Sequence, residues 1–200
     1  MTINDFKGND IAKKQWENDK SICSVLMIEG QSGMGKTTLA RIIASEYSGD
    51  IRELSPVDYI STIDLNKVYD SMFESTKLNK KVFIFDEFQM LAEKAQSRVL
   101  KILEDVPANT LIILVTDNLD KVLNTIKNRC HSILHLDCPT KEDCIELLMA
   151  ECLSDNKPYS YEGLEYIYNM SSSVREMLYN VRCVLLKKQS ATLDSIKEVF

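Results

Sequence analysis

The sequence predicts an α/β fold, a parallel five-stranded sheet between helices, followed by a small all-helical C-terminal domain. Three observations predict it. Gly30-Gln31-Ser32-Gly33-Met34-Gly35-Lys36-Thr37 reads G-x-x-x-x-G-K-T, a phosphate-binding loop, with an apolar run before it and a helical stretch after it. Short apolar runs then alternate with helical periodicity as far as about residue 138, as in parallel strands joined by crossover helices. Beyond Pro139 only helical periodicity remains.

Residues 6–20 suit a loop and a short amphipathic helix anchored by Ile11 and Trp16. Val25-Leu26-Met27-Ile28 is a buried strand, and Thr37 to Ala44 continues as a helix. After a turn at Ser48-Gly49-Asp50, Ile51 to Leu54 is a short strand stopped by Ser55-Pro56. Asp64 suits the N-cap of a helix over 65–76, in which Leu65, Val68, Met72 and Phe73 recur at helical spacing. The polar stretch Asn79-Lys80-Lys81 precedes Val82-Phe83-Ile84-Phe85, an unbroken apolar run suited to a central parallel strand. A helix over 91–105 follows, with Leu91, Ala95, Val99, Ile102 and Leu103 on one side, broken by Pro107-Ala108-Asn109. Leu111 to Thr116 is a second buried strand, 120–128 a short helix, and His131 to Leu136 the last strand. Helices over 141–153, 160–170, 173–188 and 192–199 complete the chain. The domain division is therefore 1–138 and 139–200, without repeats or low-complexity tracts.

The 200 residues, 44% hydrophobic and 27% charged, are those of an ordinary globular protein able to bury a sizeable core. No apolar stretch approaches a membrane span and Met1 to Asp5 does not open a signal peptide, so a cytoplasmic location is expected, that of the host if the chain is phage-encoded. Cys23, Cys130, Cys138, Cys144, Cys152 and Cys183 show no C-x-x-C spacing, which points to thiols that are buried or inert in a reducing cytosol and to neither disulfides nor zinc. The net charge of −6 repels nucleic acid as a whole-molecule field. Lys13-Lys14 and the group Lys77, Lys80 and Lys81 are basic clusters of the kind that form solvated faces.

Glycines let the loop backbone wrap round phosphates with its N–H groups inward, and the following helix N-terminus favours negative charge. Gly30 to Gly35, with Lys36, Thr37 and Thr38, would therefore hold a nucleoside triphosphate. Lys36 would reach the β- and γ-phosphates, and the Thr37 hydroxyl would ligate Mg²⁺. Asp86, ending a buried strand, is the carboxylate expected on the Mg²⁺ side. Glu87 beside it can activate an attacking water, which favours hydrolysis over phosphoryl transfer to a small molecule.

Val82 to Cys130 resembles the clamp-loader branch of the AAA+ ATPases, machines that open ring-shaped DNA sliding clamps. Asp86-Glu87 with Met90-Leu91 is similar to the family's D-E-x-x-x-L segment, and Ala95-Gln96 through Leu103-Glu104-Asp105-Val106-Pro107 to the helix after it. Gly35 to Ala44 is close to its phosphate-loop helix, and Leu114-Val115-Thr116 to its sensor 1 strand. Asn128-Arg129-Cys130 resembles its S-R-C motif, and Ser172-Ser173-Val174-Arg175 its G-S-x-R lid segment, with Asn128 and Ser172 replacing serine and glycine. The resemblance implies that Thr116 contacts the γ-phosphate or the water, that Arg129 is an arginine finger acting in trans, and that Arg175 is sensor 2. It places Gly8-Asn9 by the adenine, and Cys130 carries no chemistry. His131 and His135, at a strand edge, are expected to be structural.

The resemblance implies an ATP- and Mg²⁺-dependent ATPase, without zinc, working at a subunit interface in DNA replication, with clamp loading as the leading task. Its alternatives are a helicase loader, another replication or recombination ATPase, or an ATP-binding scaffold with little turnover. The implied partners are further copies or related AAA+ subunits, and DNA or a DNA-bound protein such as a sliding clamp or helicase; no membrane is implied. The four-cysteine module common in bacterial members does not occur between the phosphate loop and Asp86. The stretch Ala191 to Phe200 resembles the last lid helix, so either the sequence is truncated before the family's collar domain or the protein is a minimal member that assembles by another route.

Overall fold

The computed structural model describes residues 2–47, 49–56, 62–74 and 80–200. The chain forms two compact units, one of Met1–Phe6, Asp10–Gln31 and Lys36–Leu136, the other of Lys7–Asn9, Ser32–Gly35 and Asp137–Phe200.

In the first unit, β1 (Val25–Gly30), β2 (Asp50–Leu54), β3 (Lys81–Phe85), β4 (Thr110–Thr116) and β5 (Ser132–Leu136) form one sheet in the order β2-β3-β4-β1-β5. Every pairing is parallel. The three central strands are buried on both faces, as their unbroken apolar runs require. Because side chains alternate along a strand, Leu26, Ile28, Val82, Ile84, Leu111 and Ile113 enter one core. Their neighbours Val25, Met27, Phe83, Phe85, Ile112 and Leu114 enter another. The first core is closed by α1 (Asp10–Asp19) and α2 (Lys36–Tyr47), the second by α3 (Thr62–Phe73), α4 (Glu93–Glu104) and α5 (Asn124–Lys127).

Several expected anchors move. On α1, Trp16 is buried together with Ala12, four residues before it, whereas Ile11 lies off that face and is 84% exposed. On α3, Leu65, Val68 and Met72 are buried, but Phe73 stands 100° round the helix from Met72 and is exposed. Its ring lies tilted against Tyr69, centroids 5.0 Å apart. α3 is described from Thr62, and the side chain of Asp64, the expected N-cap, lies outside the described residues. Positions 75 and 76 of that expected helix, like Lys77, lie outside the described residues.

Lys81 overturns its expected place on a solvated face. It is 1% exposed, and its Nζ donates to the carbonyls of Ser71, Met72 (3.2 Å) and Glu74. Those oxygens end α3, where intrahelical donors run out and a cation is favoured. Lys80 does stay exposed, its ammonium 4.6 Å from the centroid of the Tyr47 ring. The expected helix over 91–105 starts only at Glu93, after a separate turn over Phe88–Met90, although Leu91 is buried as expected. The expected helix over 120–128 divides into a turn at Leu119–Lys121 and α5, because Val122 is extended and buried and Leu123 is not helical.

The second unit holds α6 (Lys141–Ser154), α7 (Tyr161–Met170), α8 (Val174–Lys188) and α9 (Leu193–Lys197). Each begins at a hydroxyl cap, Thr140, Ser160, Ser173 and Thr192, whose oxygen accepts a backbone N–H of the first turn. Cys144, Leu148, Leu164, Ile167, Val181 and Val184 are among the residues of their common core. No helix among the described residues is long and apolar enough to cross a membrane.

Candidate functional site

Parallel pairing brings the C-terminal ends of the strands to one edge of the sheet, where a fold of this kind presents its ligand-binding loops. Glu29 of β1 is in register with Thr116 of β4, and Phe85 of β3 with Leu114 of β4. The phosphate loop leaves β1 at Gly30, Asp86 and Glu87 leave β3, and Thr116 ends β4. Residues far apart in the sequence thus share one edge.

The loop needs its glycines for two reasons. A Cβ on Gly30 would lie 2.5 Å from the Leu136 carbonyl oxygen, and Gly35 has φ +92°, open to few other residues. Gln31, Ser32 and Thr38 are exposed, whereas Met34 is buried. Lys36 opens α2, and its Nζ donates to the Gln31 carbonyl at 2.9 Å, drawing the ammonium back over the loop. Thr37 Oγ1 donates to Asp86 Oδ2 at 3.1 Å and Oδ1 at 3.3 Å. A hydroxyl and a carboxylate this close are hard oxygen donors of the kind Mg²⁺ takes, with phosphate oxygens and water as its further ligands. The residues present therefore fit Mg²⁺ with a triphosphate. Among the described residues, no group of three or more His, Cys, Asp or Glu gathers elsewhere to hold a metal.

Glu87 is exposed and sits in the left-handed region, φ 51° and ψ 42°, with its N–H donating to Asp86 Oδ1 at 3.0 Å. Such a conformation is uncommon away from glycine and gathers at functional sites. The side chain of Gln89, absent from the sequence-based site, is 7% exposed and donates from Nε2 to Glu87 Oε2 at 2.5 Å. No motif position marked it; a polar residue between Phe88 and the apolar pair Met90-Leu91 is the one signal that could have.

Thr116 is fully buried, and its Oγ1 engages both the N–H and the carbonyl of Asn118, at 3.2 and 3.3 Å. Arg129 stands apart from this group. Its guanidinium pairs with Glu104 at 2.8 Å, and both side chains are well exposed. His131 marks which end of the sheet this is: its backbone N–H donates to the Val25 carbonyl, and its Nδ1 accepts from Val25 N–H at 3.3 Å. Arg129 therefore lies at the N-terminal end of β1, and the phosphate loop at the other. His135 Nδ1 meets Glu29 Oε2 at 2.8 Å.

In the second unit, the Arg175 backbone N–H donates to the Gly33 carbonyl at 3.2 Å, while its side chain is exposed. Asn9 exchanges hydrogen bonds with the backbone of Asp137, accepting at 2.8 Å and donating at 3.2 Å. Burial raises the thiols of Cys23 and Cys130 to about 12, and those of Cys144 and Cys152 to about 11, so these four stay protonated at neutral pH.

Residues 50–138 match a family described as DNA polymerase III, delta subunit. The chain is 25% identical to DNA polymerase III subunit gamma of Buchnera aphidicola subsp. Schizaphis graminum, over 86% of this chain and 55% of that protein. It is also 25% identical to the replication factor C small subunit of Staphylothermus marinus, over 87% of this chain and 55% of that one. The chain thus spans about half the length of these curated relatives. A solved structure of the Thermotoga maritima RuvB Holliday junction branch migration motor superposes on 99% of this chain and 70% of its own, with TM-score 0.83 and 21% identity. That likeness shows the fold, a parallel five-stranded α/β sheet followed by helices, and the relatives bear out the resemblance to the DNA polymerase III gamma and replication factor C small subunits.

Proposed function

We propose that this relative of the DNA polymerase III gamma and replication factor C small subunits binds Mg²⁺-ATP and hydrolyses it at a subunit interface, driving a DNA-replication task of the clamp-loading kind. One observation carries the reading: the Thr37 hydroxyl of the phosphate loop lies 3.1 Å from the Asp86 carboxylate, with Glu87 next to it. Gly30 to Thr38 would cradle the phosphates, with Lys36 on the β- and γ-phosphates and Thr37 and Asp86 holding Mg²⁺, which neutralises phosphate charge when bound. Glu87 would orient a water for in-line attack on the γ-phosphorus, breaking its bond to the bridging oxygen and releasing ADP and phosphate. Thr116 would hold the water or the γ-phosphate, and Arg175 the phosphates from a lid of residues 139–200 attached to a nucleotide-binding domain of residues 1–138.

Arg129 would act in trans. β1 runs from Val25 to Gly30, and its ends are about 17 Å apart at the usual strand rise. An arginine at its N-terminal end is remote from the phosphate loop of its own chain, which supports a role at the phosphates of a neighbouring subunit. We place the protein in the cytoplasm, with copies of itself or related AAA+ subunits as partners, and DNA or a DNA-bound protein such as a sliding clamp or helicase as target.

Steady-state ATP turnover measured across protein concentration, with and without primed DNA, tests this. Specific activity should rise with concentration, and Arg129→Ala should lose about a thousandfold of it, the scale of an arginine finger, while still binding ATP. Concentration-independent turnover, left unchanged in Arg129→Ala, would remove the trans assignment.

A further inference from the structure

Gln89 stands in one turn between the two chemical elements of the site. Its Nε2 donates to Glu87 Oε2 at 2.5 Å, and its Oε1 accepts the backbone N–H of Asp117 at 3.3 Å. A carboxylate only accepts and a backbone N–H only donates, so these two partners admit one orientation of the amide. The side chain is 7% exposed, and its turn, Phe88–Met90, is anchored by Phe88, fully buried against the ring of Phe85. Asp117 follows Thr116 directly at the end of β4. A single buried amide thus joins the Glu87 carboxylate to the strand end that carries Thr116.

We infer that Gln89 is a positioning residue: it fixes the direction in which Glu87 presents its carboxylate and couples that direction to the end of β4. The inference rests on the reading of Glu87 as the group that orients the attacking water. Glu87 itself is exposed, and its backbone is held in the left-handed region. Without Gln89, solvent and rotamer freedom would disperse the carboxylate, and a misplaced base loses catalysis without losing substrate. A shift of β4 as Thr116 engages the γ-phosphate would pass through Asp117 N–H to the amide and then to Glu87.

The test compares ATP turnover and ATP affinity in the full chain for four variants: Gln89→Leu, Gln89→Glu, Glu87→Gln and the double variant Glu87→Gln/Gln89→Leu. Gln89→Glu retains an acceptor for Asp117 N–H but loses the donor to Glu87, so it isolates that link even if Gln89→Leu folds poorly. Both Gln89 variants should lower kcat by about tenfold to a hundredfold, with KM and the ATP dissociation constant within about twofold. Adding Gln89→Leu to Glu87→Gln should cost nothing further, because the residue it positions is already gone. Wild-type kcat in Gln89→Glu, or an equal further loss in the double variant, would overturn the inference. Wild-type turnover in Glu87→Gln would instead overturn the reading of Glu87, whatever the Gln89 variants do.

Discussion

At Gly30 the space for a side chain is taken by backbone, since an added Cβ would lie 2.5 Å from the Leu136 carbonyl oxygen. Leu136 is the register partner of Gly30 across β1 and β5, so relief requires the two strands to move apart. Gly30→Ala should cost about 2–3 kcal/mol of folding stability. Urea denaturation would measure it, and a loss below about 0.5 kcal/mol, the range of neutral surface changes, would show that the strand yields freely. At this scale much of the site was legible in the sequence, because Gly30, Lys36 and Thr37 belong to a contiguous pattern whose spacing states its own geometry. Gln89 was not legible. An isolated glutamine between apolar residues looks the same whether it faces water or joins Glu87 to Asp117.

Among the elements, α3 depends on a residue from outside itself. Its last carbonyls have no intrahelical donors, and the buried ammonium of Lys81 on β3 supplies hydrogen bonds to Ser71, Met72 and Glu74. Lys81→Met keeps most of the aliphatic packing and removes the donors. It should destabilise the protein by about 2–4 kcal/mol and speed amide exchange in the last turn of α3, leaving ATP affinity unchanged. Protection in that turn equal to wild type would mean that water replaces the ammonium at no cost. The strands themselves were legible, since Val82 to Phe85 and Leu111 to Val115 are apolar without a break and are buried on both faces. Helix ends were less so. The expected helix over 120–128 divides because Val122 is claimed by the core, a demand that comes from other elements and leaves no local mark.

For the whole molecule, a nucleotide that binds only the folded state must stabilise it by mass action. With ATP at a hundred times its dissociation constant the gain is about 2.7 kcal/mol, which for a chain of this size raises Tm by about 5–10 °C. Thermal unfolding with and without Mg²⁺-ATP would measure the shift, and Lys36→Ala should abolish it while leaving Tm without nucleotide nearly unchanged. An equal shift in Lys36→Ala would place the nucleotide elsewhere on the chain. The α/β class, the strands, the phosphate loop and the acidic pair after β3 were determined by sequence alone, because each is a local pattern whose period or spacing carries its physics. The tertiary structure decided which of them meet. Thr37 and Asp86, 49 positions apart, touch because β1, β4 and β3 pair in parallel and bring their ends to one edge. The same pairing sets Arg129 at the opposite end of β1, buries Lys81 under α3 and delivers Asp117 to Gln89. Such contacts arise from register between distant segments, and register is a property of the assembled sheet rather than of any stretch within it.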